Sequence, residues 1–168
     1  MEGGSAEQKQ ALLPLVAEGK TTLALAVDES PVHAPYNIAC QAVKDGGNYR
    51  LSGQKIFVLD GHVADELVVV ARTSGATKSR EGITLFLVNA KSSGITFNRT
   101  VMVDSRNACR INFDKVTIAD TQVLGVVDQG ADLLDFVLDV GRICLSAEML
   151  GSMQESFDRT IEYLKTRE

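Results

Sequence analysis

The sequence predicts a mainly β fold with flanking helices, the last of them long enough to belong to a helical bundle that is incomplete here. Three observations carry this. Between residues 21 and 124 short apolar runs alternate with turn residues; a glycine-rich hairpin signal sits at 44–48; and beyond Gly130 the apolar residues fall three or four apart. With 45% hydrophobic and 23% charged residues in a chain of 168, the composition is that of an ordinary folded domain. A net charge of -5 offers no basic field for a nucleic-acid backbone, so nucleic acid is set aside. No apolar run reaches the roughly 18 residues of a membrane span, and no targeting pattern opens the chain. No membrane insertion is expected, and a cytoplasmic or mitochondrial-matrix location is.

Taken in order, Ser5 and Gln8 form a capping box that predicts a short helix to about Glu18, with Gly19 as its stop and Pro14 as a source of distortion. Residues 21–27 read as the first strand. Residues 40–43 and 49–52 flank Lys44-Asp45-Gly46-Gly47-Asn48, whose glycines supply the positive φ of a hairpin turn. Residues 56–59, 67–72 and 83–88 follow, the last two so continuously apolar that both faces of each should be covered. Ile111 and Phe113 alternate, then Val116 and Ile118 resume one residue out of phase, which predicts a β-bulge at Asp114-Lys115.

From Gly130 to Arg167 a single helix of about 55 Å is expected at roughly 1.5 Å per residue, with Asp128 as its N-cap. Its first half is apolar almost all round, the pattern of a helix buried on several sides. A bundle helix without its bundle, reaching Glu168 with no stop signal, makes the chain read as a piece of a larger protein.

Cys40, Cys109 and Cys144 are odd in number and set among apolar neighbours, so reduced core thiols are expected, and no metal. His33 and His62 lack the spacing of zinc or catalytic motifs and read as loop residues.

The run Asp45-Gly46-Gly47-Asn48-Tyr49-Arg50-Leu51-Ser52-Gly53-Gln54-Lys55-Ile56-Phe57-Val58-Leu59-Asp60-Gly61 resembles the D-G-x-Y-x-L-N-G-x-K-x-W-I-T-N-G segment of acyl-CoA dehydrogenases. Ala64-Asp65, Ala71-Arg72-Thr73, Gly82-Ile83-Thr84, Phe113-Asp114-Lys115-Val116, Leu124-Gly125 and Leu138-Asp139-Val140-Gly141-Arg142 follow at that family's intervals. The resemblance implies the end of an N-terminal helical domain at 1–20, a middle β-barrel domain at 21–124, and the first helix of a C-terminal helical domain at 125–168. It also implies FAD, α,β-dehydrogenation of an acyl-CoA, an electron-transferring flavoprotein as acceptor, and a homo- or hetero-oligomer.

Residue by residue, the resemblance places Leu25, Ala26, Val27 and Asp28 against the flavin, with Asp28 where the family has threonine. An edge-strand carboxylate before a turn is the alternative for Asp28. Phe57, Val58 and Leu59 occupy the W-I-T position along the isoalloxazine, and strand packing is the alternative, most of all for Val58. The G-x-G-S loop that reaches the pyrophosphate is replaced by Pro31-Val32-His33-Ala34-Pro35, of which Ala34 is expected to border the substrate. Asp139 and Arg142 match the D-x-x-R that approaches the thioester, or form an ordinary ion pair one turn apart. Arg167 resembles the arginine that reaches FAD in a neighbouring subunit, or is a solvated terminal residue. Glu148 matches no family base, so the catalytic carboxylate is expected beyond Glu168, and no catalytic residue within the chain. Two readings follow: an inactive segment of a dehydrogenase, or a non-catalytic subunit that completes a heteromeric one. Losses at Asp28, Ala34 and Leu59 motivate the second.

Overall fold

The computed structural model describes residues 2–104 and 106–167. Helix α1 (Ala6–Ala17) opens with the expected capping box: the Gln8 amide donates to Ser5 Oγ, and Gln8 Oε1 accepts from the Ser5 amide at 2.8 Å. The helix continues past Pro14, and Gly19 at φ 69° turns the chain out of it.

Among the described residues eight strands follow: β1 (Leu23–Ala26), β2 (Gln41–Asp45), β3 (Asn48–Leu59), β4 (Glu66–Arg72), β5 (Ile83–Asn89), β6 (Ile95–Val101), β7 (Asn107–Ala119) and β8 (Val123–Leu124). They form one mixed sheet in the order β6-β7-β3-β2-β4-β5-β8, with β1 parallel to β4. β2 meets the same edge of β4 further along, at Gln41 opposite Arg72. The sheet wraps over one core that takes in Leu51, Val69, Phe86, Ile111 and Ile118, and the Tyr49 ring meets Phe86 edge-on at 5.1 Å. Burying each such side chain contributes about 1.5–3 kcal/mol. As expected, β4 and β5 are covered on both faces over most of their length.

The expected barrel does not close. The terminal strands β6 and β8 do not pair with each other. β6 is mostly exposed, with Asn98, Arg99 and Thr100 on its surface, and β8 is only two residues long. A strand of that length has too few ladder groups to close the circle, and the next amide, at Gly125, donates to Gly3 O instead. β6 itself has no counterpart among the expected strands.

The predicted hairpin is present, but β2 and β3 pair through Lys44, Asp45 and Asn48, so its turn is the two residues Gly46-Gly47 and not the five flanked by the expected strands; only Gly46 lies at positive φ, the pattern of a II′ turn. The predicted bulge is present: between Leu51 and Gly53 on β3 the partner register runs from Val116 to Phe113 on β7, and Lys115 has φ 49°. A non-glycine residue pays about 1–2 kcal/mol for that conformation. Lys115→Gly is therefore expected to stabilise the chain by about 0.5–1 kcal/mol, read as a higher urea midpoint at unchanged slope.

Two compact units are distinguished, Met1–Leu133 and Leu134–Glu168. Helix α2 (Gly130–Thr166) is continuous over 37 residues. Asp128 is not its N-cap. It sits at φ 66°, and its carboxylate accepts from the hydroxyls of Thr73 at 2.6 Å and Ser74 at 2.8 Å, tying the loop after β4 to the approach of α2. Of the apolar residues in the first half of α2 that were expected to be buried, Leu134 is buried and Leu133 and Leu138 are half-buried, while Phe136 at 51% and Ile143 at 70% are exposed in the single chain. Cys144 is likewise exposed, whereas Cys40 and Cys109 are core thiols as expected. No helix among the described residues is long and apolar enough to cross a membrane.

Candidate functional site

The site is built around a second bulge, in β3, that the sequence did not announce. Between Lys55 and Val58 the β7 register advances only from Ile111 to Cys109, so β3 carries the extra residue there. Phe57 takes φ 55°. Lys55 and Val58 consequently both point inward, while Phe57 is turned out and left 61% exposed. A bulge next to a site commonly re-aims one side chain in this way.

Lys55 is wholly buried, and its ammonium donates to Val27 O at 2.8 Å and to Glu29 Oε1 at 2.7 Å. Glu29 in turn accepts from the amides of Ala39, at 2.7 Å, and Cys40, at 3.0 Å. The Ile56 amide donates to Asp28 O at 2.8 Å. This network fixes 27–29, the end of the first strand and its continuation, beside the β3 bulge. Burial pushes the Lys55 pKa down, against the pull of Glu29, and pushes the neighbouring Cys40 thiol up to about 12. Cys40 is thus an inert thiol. Period-two alternation inward from Tyr49 and Leu51 puts Lys55 on the buried face, which is the signal by which its role could have been found.

Of the residues named from the sequence, the fold brings Asp28 and Phe57 to neighbouring positions. Leu25 is half-buried, Ala26 and Val27 are buried, and Val58 joins the core at 1% exposure, so Val58 offers the outer face its backbone only. Leu59 is exposed at 56%. The Asp28 carboxylate lies 3.0 Å from His33 Nδ1 and accepts from the Ala34 amide at 3.3 Å, so it organises the loop that follows. In the helical unit Asp139 and Arg142 form an exposed pair at 2.6 Å, one turn apart, and Arg167 lies over the Tyr163 ring at 6.0 Å.

Against Phe57 opens a recess of about 400 Å³, lined also by Ile56, Pro31, Asn98, Thr100 and Arg110, with no carboxylate in its wall. Aromatic, apolar and cationic groups together suit a flat ring bearing negative charge.

Residues 30–116 match the profile of the acyl-CoA dehydrogenase middle domain, just over half of the chain. The chain belongs to the acyl-CoA dehydrogenase family. It is 30% identical over 98% of its length to 3-(aryl)acrylate reductase of Clostridium sporogenes, and 31% identical over its full length to mitochondrial isovaleryl-CoA dehydrogenase of Solanum tuberosum. It covers 44% and 42% of those proteins, so it spans less than half the length of these relatives. Its fold superimposes on a crystal structure described as an FAD-dependent dehydrogenase with a TM-score of 0.90 and 34% identity, over 99% of this chain and 46% of that one.

Proposed function

We propose that this chain is the flavin-facing segment of an FAD-dependent enzyme acting by α,β-dehydrogenation on an acyl-CoA thioester. The observation that carries the proposal is the β3 bulge, which turns Phe57 out over a recess at the position where the family lays its flavin. FAD, when bound, supplies the hydride acceptor. The chain's own part is to present an aromatic face through Phe57, an exposed apolar edge through Leu59, and a rigid backbone at 25–28 held by Lys55. Asp139 and Arg142 would approach the thioester and Ala34 border it. Arg167 would reach the cofactor of a neighbouring subunit in a homo- or hetero-oligomer, and an electron-transferring flavoprotein would reoxidise it. No carboxylate lines the recess, so the chain by itself has nothing there to take the α-proton.

The expected outcome is flavin binding without turnover: quenched FAD fluorescence on titration with the chain, and no reduction of an acceptor dye with isovaleryl-CoA or an arylpropionyl-CoA. Measurable dye reduction would show that a base is present after all, and unquenched FAD would remove the flavin reading. A second reading, the non-catalytic subunit of a heteromer, is favoured by Asp28, whose carboxylate is committed to His33 and Ala34 where the family has a free hydroxyl. A full-length protein that purified alone with one FAD per chain and turned over would end it.

A further inference from the structure

The recess beside Phe57 carries a charge that nothing in the structure uses. Among the described residues the Arg110 guanidinium has no hydrogen-bond or ion-pair partner. Arg110 stands opposite Asn98 in the β6–β7 ladder, and both line the recess. Its neighbours in the strand, Cys109 and Ile111, point into the core, so alternation turns Arg110 to the outer face that Ile56 and Phe57 share. Arg99 also borders the recess, but its Nε and Nη2 are both taken by Asn107 Oδ1, at 3.0 and 2.6 Å.

Across the recess stands the loop after β1, and it is ill suited to an anion. Pro31 and Pro35 have no amide proton. The Ala34 amide is spent on Asp28, the Ser30 hydroxyl on Val32 O, and Asp28 itself adds negative charge. An anionic group entering here finds its counter-charge on β7 instead.

We propose that the recess binds the phosphate of an aromatic nucleotide, with Arg110 holding the phosphate and Phe57 the ring. Phosphate recognition has thus moved from loop amides to a side chain on β7. A guanidinium suits the task because its planar fork meets two phosphate oxygens at once and stays charged at every physiological pH. Thr100 and Asn98 add neutral hydrogen-bonding groups beside it. The ring's identity as a flavin rests on the function proposed above; the phosphate site does not.

The test uses the whole chain and four probes, with affinity measured by flavin fluorescence and by calorimetry: flavin mononucleotide, riboflavin, coenzyme A and inorganic pyrophosphate. Riboflavin carries the ring without the phosphate, and pyrophosphate the reverse. Arg110→Gln is expected to weaken flavin mononucleotide by about tenfold to a hundredfold and to leave riboflavin unchanged. Phe57→Ala is expected to weaken both flavins by the same factor and to spare pyrophosphate. Should coenzyme A and pyrophosphate bind with the same Arg110 dependence while neither flavin binds, the phosphate site stands and the flavin reading fails. An Arg110→Gln chain that held every phosphate-bearing probe as tightly as the wild type would overturn the proposal, as would a wild type that bound none of them. A thermal melt matched to wild type for both variants separates these outcomes from misfolding.

Discussion

Lys55→Met is expected to lower the unfolding free energy by about 3–5 kcal/mol, because it leaves Glu29 charged and without its cation at 13% side-chain exposure. For a chain of this length that is a fall in Tm of roughly 10 °C. Glu29→Gln should cost a similar amount, since the buried ammonium then lacks its partner. The double variant Lys55→Met with Glu29→Gln is expected to recover part of the loss, as one polar group replaces an uncompensated charge. The measurement is guanidinium unfolding of all three against wild type. If the single variants cost under about 1 kcal/mol, the pair is screened by solvent and does not hold 27–29 in place.

The pH dependence separates the two buried titratable neighbours. The folded Lys55 pKa lies below its unfolded value of 10.5, so between the two the unfolded chain binds the extra proton and stability rises with pH. Cys40 works in the opposite sense. Its folded pKa of about 12 lies above the unfolded 9.0, so its contribution is constant below pH 9 and is lost as pH climbs toward 12. Cys40→Ala should therefore flatten or reverse the alkaline loss, and Lys55→Met should steepen it.

The second large effect is expected at Arg72, which is 6% exposed and whose hydrogen bonds run to backbone carbonyls. Its guanidinium donates to six backbone carbonyls, those of Tyr36, Ile38, Ser74, Thr77, Ser79 and Glu81. Burial lowers its pKa against the pull of the Glu29 charge, yet an arginine stays charged, and the fan of carbonyl dipoles receives its hydrogen bonds. Arg72→Met leaves those acceptors to find water or remain unpaired, at a net cost of about 3–5 kcal/mol. Arg72→Lys should restore little, because an ammonium has three donors and no planar fork. Hydrogen exchange should locate the damage: amides at 36–40 and 73–82 speed up, while those of β3 and β7 hold their protection. Uniform loss of protection would mean that Arg72 supports the whole core and not these two loops.

Much of this molecule was legible in the sequence because it depends on local periodicity. Ser5 and Gln8 specify their capping box within four residues, Gly46 its turn, and the phase slip at Asp114-Lys115 its bulge, since a one-residue shift reverses which side chains face the core. The ordered motifs around Gly46, Ala71 and Gly82 likewise carried the family, and with it the expectation of a flavin at Phe57. Other features depended on partners far along the chain. Whether the sheet closes was decided by β8 being two residues long and by Gly125 pairing with Gly3, which no window of sequence contains. The bulge at Phe57 exists only in register with β7. Asp128 looked like a cap and became a clamp, because the hydroxyls of Thr73 and Ser74, more than 50 residues away, outcompete the helix amides for its carboxylate. Alternation from Tyr49 and Leu51 puts Lys55 on the buried face, but only Val27 and Glu29 supply the oxygens that make its burial tolerable. A buried charge is allowed or forbidden by its three-dimensional neighbours, and only the tertiary structure brings them together.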